Sequence, residues 1–186
     1  MPAPILTKEE VLGRLMSAFR EKGFDGASLA ELSAATGLGK SSLYHHFPGG
    51  KVEMAQQTLE YLEAALEQSL FEPMRTDEPP EKKLSTMLDT LSAFYGEGRK
   101  ACLLERLCAS VDQRAFRRPL ARLFERWIDV VEELARDAGL PRARARARAE
   151  DLVVRIEGAL VVCAGTGDMT IFTRTIDGLR SSFLAR

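Results

Sequence analysis

Along most of this chain, apolar side chains recur every three or four positions, the spacing that gathers them on one face of an α-helix. Leu12, Leu15, Met16 and Phe19 share such a face. Thr7 offers the hydroxyl of an N-cap, Glu10 stands three residues on as its reciprocal partner, and Gly23 ends the run. Ser28 opens the next segment with Glu31 as its acid, Leu29 and Leu32 supply its apolar side, and Gly37 stops it. Residues 40–46, KSSLYHH, make a third and very short helix, broken by Pro48, Gly49 and Gly50. A long amphipathic segment with glutamates on its outer face then runs from Lys51 to Phe71.

The stretch EPMRTDEPPEKK (72–83) carries three prolines and reads as a loop or boundary. Beyond it, LSTMLDTLSAFY, CLLERLCASV, RPLARLFERWIDVVEELARDAG, AEDLVVRIEGALVVCAG and MTIFTRTIDGLRSSFL all keep the helical period, and Gly139–Pro141 separates two of them. No segment alternates apolar and polar residues between hairpin turns, so no strands are expected. The pattern predicts an all-α protein of about nine helices.

Two helices of about two turns each, joined by a glycine-containing turn, form a helix-turn-helix unit. Burying Leu43 and Phe47 at i, i+4 sends Lys40, Ser41, Ser42, Tyr44 and His45 outward, where a recognition helix meets a major groove. Hydroxyls and lysine suit phosphate oxygens, and histidine and tyrosine can bond or stack against base edges and sugars. His45 and His46 point about 100° apart with no third ligand at helical spacing, so no metal is expected and no cofactor is implied.

Charge narrows the picture. The 186 residues carry a net charge of −1, so no global field marks a nucleic-acid binder. Residues 1–55 hold six basic and six acidic groups, so a DNA-binding surface there must be local. Residues 99–148 hold thirteen basic groups against seven acidic ones. Their most basic run, PRARARARAED (141–151), splays its arginines onto two sides of a helix and reads as solvated surface, with ionic contacts to the acidic 56–98 segment available.

The three cysteines, Cys102, Cys108 and Cys163, form no CxxC pair and read as reduced, packed thiols in a cytoplasmic protein. Both histidines lie far from them in sequence, which leaves no base to activate a thiolate, and an enzyme is not expected. MPAPILTKEE lacks the pattern of a targeting segment. The longest apolar run is interrupted by Arg155 and Glu157, so no membrane partner is expected.

The run from Ser28 to Lys51, SLAELSAATGLGKSSLYHHFPGGK, resembles the DNA-binding motif of the TetR family of bacterial transcriptional regulators. LYHHF, the short glycine-containing turn before it, Lys51 and the acid Glu53 carry the resemblance, which spans roughly residues 5–65. It implies a DNA-binding domain over 5–65 and a ligand-binding and dimerisation domain over 66–186. The implied DNA contacts are Ser28, Lys40, Ser41, Ser42, Tyr44, His45, His46 and Lys51. Two departures stand out: Gly39 occupies a start position where the family commonly has serine, and PGGK is one residue longer than the usual link to the lysine. The longer link resembles the LmrA/YxaF-like branch, whose members respond to small aromatic or drug-like compounds.

Met87, Leu91, Phe94, Leu103, Leu107, Phe124, Trp127, Ile128 and Val131 have core spacing. In a helical bundle some of them can line a cavity, as the resemblance also implies, and Met87, Leu91, Phe94, Leu103, Leu107, Trp127 and Val131 are the expected lining for a small apolar or aromatic effector. The last two helices carry more apolar surface than one core needs. Leu152, Ile156, Leu160, Phe172, Ile176, Leu179 and Phe183 are therefore expected in a homodimer seam, in agreement with what the resemblance implies. The expectation is a ligand-released repressor of a palindromic operator in double-stranded DNA. The alternative is a helical ligand-binding or interaction protein that retains the motif without operator binding.

Overall fold

The computed structural model describes residues 6–185. The first five residues and Arg186, which bear on the absence of a targeting segment and on the outer bounds of the two expected domains, lie outside the described residues. Among the described residues there are nine α-helices and no strand.

Helix α1 is Lys8–Gly26, and its start is a reciprocal cap. The Glu10 amide donates to the Thr7 hydroxyl at 3.2 Å, and the Thr7 amide donates to the Glu10 carboxylate at 2.8 Å. Gly23 interrupts the helical ladder with φ 73°, a conformation open to glycine, and the chain turns through Phe24 to Gly26. Helix α2 is Leu29–Thr36, α3 is Lys40–His46 and α4 is Gly50–Leu66. The reading of one helix from Lys51 to Phe71 gives way at Leu66. The backbone there relaxes into a π-type turn over Glu67–Phe71 and a 3₁₀ turn over Glu72–Arg75. Helices α5 (Pro80–Phe94), α6 (Leu103–Cys108), α7 (Gln113–Asp137), α8 (Arg142–Thr166) and α9 (Thr170–Ser182) complete the order.

Two compact units divide these elements. Residues 6–64 and 103–119 form the first, and residues 65–102 and 120–185 the second. The segment 103–119, which the sequence groups with the larger domain, is thus part of the first unit, where α6 packs on α1. Its core includes Leu15, Phe19, Phe24, Leu32, Leu43, Phe47 and Phe116, all buried. Pro119 sits inside α7 and has no amide to offer the Ala115 carbonyl four residues back. Gln56 of α4 takes that acceptor, with Nε2 at 3.4 Å.

In the second unit α9 packs on both α8 and α5. Phe172 is fully buried beside the Tyr95 ring, 6.0 Å between centroids. Gly98, at φ 89°, lies so close to Phe172 that a Cβ there would fall 2.7 Å from the Phe172 Cβ. Arg180 ties α9 to α5 through Asp89 at 2.6 Å and through Ser85. The arginine run at the start of α8 is more engaged than a solvated surface. Arg146 reaches Asp129 at 2.7 Å, Glu150 at 2.9 Å and Glu132 at 3.4 Å, and Arg148 donates to the Ser182 carbonyl at 2.6 Å. Among the described residues the partners of Arg146 and Arg148 belong to α7, α8 and α9 rather than to residues 56–98, because α8 brings the run alongside those helices.

The residues expected in a seam from the last two helices are buried within one protomer. Leu152, Ile156, Leu160, Phe172, Ile176, Leu179 and Phe183 are each at most 4% exposed, consumed by the protomer's own core. The apolar surface left open on α8 is the opposite stripe, with Val154 at 68%, Val161 at 51% and Val162 at 45% exposure. No helix among the described residues is long and apolar enough to cross a membrane.

Candidate nucleic-acid interface

The reader is built by fixing α2 and letting α3 follow. Ser28 caps α2: its hydroxyl accepts from the Glu31 amide at 3.3 Å, and its amide donates to the Glu31 carboxylate at 2.8 Å. The Ser28 backbone bond, reinforced by the Ser28 side chain, holds the Glu31 carboxyl below the usual glutamate range. At the other end Gly37 takes the left-handed conformation at φ 73°, and the Arg14 guanidinium of α1 donates to the Thr36 carbonyl at 3.1 Å. The Ser33 hydroxyl donates to the Leu38 carbonyl at 2.5 Å, closing the turn into α3.

Gly39 begins α3 with no side-chain cap, so this helix depends on packing rather than on its own terminus. Leu43 and Phe47 supply that packing at 0% and 1% exposure. Lys40, Ser41, Ser42, Tyr44, His45 and His46 are all exposed, so the structure brings six of the expected DNA contacts onto one seven-residue helix. Ser28 is exposed at the start of α2. The His45 and His46 rings stand edge to face, 5.8 Å apart. Among the described residues no group of three or more His, Cys, Asp or Glu side chains is placed to hold a metal ion.

Lys51 differs from the rest. It is half-buried, its Nζ donates to the Phe24 carbonyl at 2.9 Å, and the charge sits 4.6 Å above the Phe24 ring. It therefore ties the start of α4 to the last turn of α1, beyond the break at Gly23. Glu53 makes the neighbouring link: its carboxylate accepts from the Gly49 amide at 2.6 Å and from Gln57 at 2.9 Å. These two residues set where α3 ends and α4 begins. The Glu53 role was within reach of the sequence, since an acid in the first turn of a helix answers free amides there. The Phe24 role was not, because its contact to Lys51 spans 27 positions.

The expected effector residues divide between the two units. Met87 and Leu91 of α5, Phe94, Trp127 and Val131 belong to the second unit, and all but Phe94 are buried. Leu103 and Leu107 lie on α6 in the first unit, whose helix packs on α1. Phe124 and Ile128 are half-buried. The Trp127 indole N–H is buried and finds no hydrogen-bond acceptor among the described residues.

Comparison with known proteins agrees with this geometry. Residues 14–58 match the model for bacterial regulatory proteins of the tetR family, and residues 80–177 match the C-terminal domain of LmrA/YxaF-like transcriptional regulators. The HTH-type transcriptional regulator LmrA of Bacillus subtilis is 26% identical over 161 residues, covering 84% of this chain and 85% of that protein. A TetR transcriptional regulator from Legionella pneumophila superposes with a TM-score of 0.84 at 16% identity, over 95% of this chain and 97% of that one. A transcriptional regulator FadR from Bacillus subtilis, in complex with stearoyl-CoA, superposes with a TM-score of 0.70 at 10% identity, over 95% and 99% of the two chains. A helix-turn-helix with its polar face open, followed by a domain that matches one particular branch over more than half of the chain, places this protein among the LmrA/YxaF-like regulators of the TetR family.

Proposed function

We propose that the protein represses transcription by binding a palindromic operator as a homodimer in the cytoplasm, and that a small, largely apolar or aromatic effector releases it. The observation that carries the reading is α3, where Ser41, Ser42, Tyr44 and His45 stand exposed opposite buried Leu43 and Phe47. Such a face suits phosphate and base-edge contacts. One two-turn reader gains little alone, whereas two on a dimer address half-sites about one helical turn apart.

The exposed stripe of α8 supports the dimer. Val154, Gly158, Val161, Val162 and Gly165 recur at i, i+4, i+7, i+8 and i+11, one helix face, and nothing lies within 4 Å of a Cβ built on either glycine. Small and β-branched residues in a row let two backbones approach closely. For the effector, the structural neighbour in complex with stearoyl-CoA supports a ligand site in a helical bundle of this kind. Trp127 adds an unpaired donor that an acceptor atom on a ligand would satisfy. The effector must favour the released state by its differential affinity, commonly about 1–3 kcal/mol.

Gel shift and tryptophan fluorescence test the reading together. DNA flanking the protein's own gene should be retained over unrelated DNA at moderate salt. A compound that releases it should also change the emission of Trp127, the only tryptophan in the chain. Equal affinity for all DNA would leave the ligand-binding alternative in place. Release with unchanged emission would put the effector elsewhere.

A further inference from the structure

The first unit poses a charge problem. A DNA reader draws most of its affinity from neutralising phosphates, yet this unit holds ten basic and ten acidic groups. Several of the basic ones are already occupied. Lys51 is bound to Phe24, Arg14 to Thr36, and Arg106 lies 3.6 Å from Glu105. The largest concentration of uncommitted positive charge lies outside the helix-turn-helix, at the start of α7.

Arg114, Arg117 and Arg118 are exposed, and among the described residues they make no ion pair or side-chain hydrogen bond. They occupy i, i+3 and i+4, so they form one stripe rather than splaying as the arginines of α8 do. Phe116 lies between them in sequence but points to the other side, fully buried, with its ring edge-on to Phe24 at 5.1 Å. Three like charges at this spacing repel one another when nothing opposes them. The stripe is held close to the reader. The Val111 amide donates to the Asp25 carboxylate at 3.1 Å, and Asp25 precedes the exposed cap Ser28 by three residues, a span of at most about 10 Å. The same Phe24 that receives Phe116 also holds Lys51. The α1–α2 corner, the start of α4 and the arginine stripe are thus one packed body.

We propose that Arg114, Arg117 and Arg118 form an accessory phosphate clamp on the DNA that flanks each half-site. The occupant is the sugar–phosphate backbone. It presents one charge per about 1.7 Å of helix axis beyond any contact α3 makes, and it matches a stripe of exposed guanidiniums. The clamp adds affinity without reading sequence, and it supplies the positive charge that the composition of residues 1–55 lacks.

This inference rests on the operator-binding reading, and the experiment separates the two. The full-length wild-type protein first selects a duplex from a random pool, which is then made with long flanks and with the flanks trimmed to the selected core. Affinity is measured by fluorescence anisotropy across a salt series for wild type, the triple variant Arg114→Gln/Arg117→Gln/Arg118→Gln, and the triple lysine variant. On the long duplex the glutamine variant should lose affinity at low salt. Its slope of log K against log[salt] should fall by about 0.9 per lost contact, from about 2 for one contact per protomer of a dimer to about 5 for three. Base preference should stay the same, the lysine variant should keep most of the slope, and trimming the flanks should remove most of the difference. Arg114→Gln alone, one exposed side chain, carries the test if the triple variant melts early. Unchanged slope and affinity in the glutamine variants overturn the clamp. A wild type that selects no sequence overturns the operator reading, and the clamp with it.

Discussion

Tyr44 and Lys51 both sit where DNA is expected, yet they do different work. Tyr44 is 47% exposed, with its ring edge 3.6 Å from the position a Gly50 Cβ would take. Nearly half of its side chain is already in water. Lys51 makes a charge-assisted bond to the Phe24 carbonyl and lies over that ring. Such a bond contributes about 1.5–3 kcal/mol, partly offset by the entropy of holding a long side chain. Tyr44→Ala should therefore weaken operator binding at least tenfold while stability stays within about 0.5 kcal/mol of wild type. Lys51→Ala should weaken binding and also lower the unfolding free energy by about 1–2 kcal/mol. Urea unfolding followed by circular dichroism, beside anisotropy on the selected duplex, measures both quantities. A Lys51→Ala variant as stable as wild type would show that the Phe24 bond contributes nothing in water. The sequence told which α3 residues face outward, because Leu43 and Phe47 at i, i+4 fix the buried side. It could not reveal that Lys51 has a partner within the protein, since a backbone carbonyl 27 residues away leaves no mark on local pattern.

At the scale of elements, caps and breakers were readable and irregular turns were not. The boxes at Thr7 and Ser28 and the stop at Gly37 formed where hydroxyl, acid and glycine stood at the expected offsets. The end of α4 at Leu66 escaped, because Glu67–Phe71 keeps an apolar pattern while its backbone changes ladder. Pro119 inside α7 is tolerated through Gln56, a rescue visible only once α4 and α7 are side by side. The Ser28–Glu31 box gives a pH prediction. The folded carboxyl is held below its usual range, chiefly by the Ser28 backbone amide. A depressed folded value means stabilisation that is complete above the unfolded value and lost as pH falls through the folded one. In wild type, α2 should lose this contribution at acid pH, below the ordinary glutamate range of about 4. Glu31→Gln, which keeps an acceptor but no charge, should be less stable than wild type at neutral pH. The gap should narrow as pH drops below 4, read as converging urea midpoints. A gap that stays constant from neutral to acid pH would remove the carboxylate from the account.

The whole molecule raises the question of which apolar surface joins two copies. Apolar periodicity on the last two helices showed that they bury a great deal, but it could not say whether the partner was the same chain or another. The structure gives Phe172, Ile176 and the rest of that row to the protomer's core, where Gly98 presses against Phe172. It leaves Val154, Val161 and Val162 in the open. These two faces predict opposite failures. A carboxylate at Phe172 would sit in a packed interior without a partner and also empty the space of an aromatic ring, a loss whose large-to-small part alone is about 3–5 kcal/mol. Phe172→Glu should melt far below wild type or fail to fold. Val161→Glu adds a charge to a side chain already half in water, so the protomer should fold with an unchanged helical spectrum. Its consequence should appear only in assembly. In sedimentation at micromolar concentration the wild type should run as a dimer and Val161→Glu as a monomer. With the two readers no longer linked, operator affinity should fall by about 10²-fold or more, while weak binding to a single half-site persists. A Val161→Glu protein that remains dimeric would move the seam off this stripe of α8, and a folded, dimeric Phe172→Glu would show that the row is not the core of one protomer.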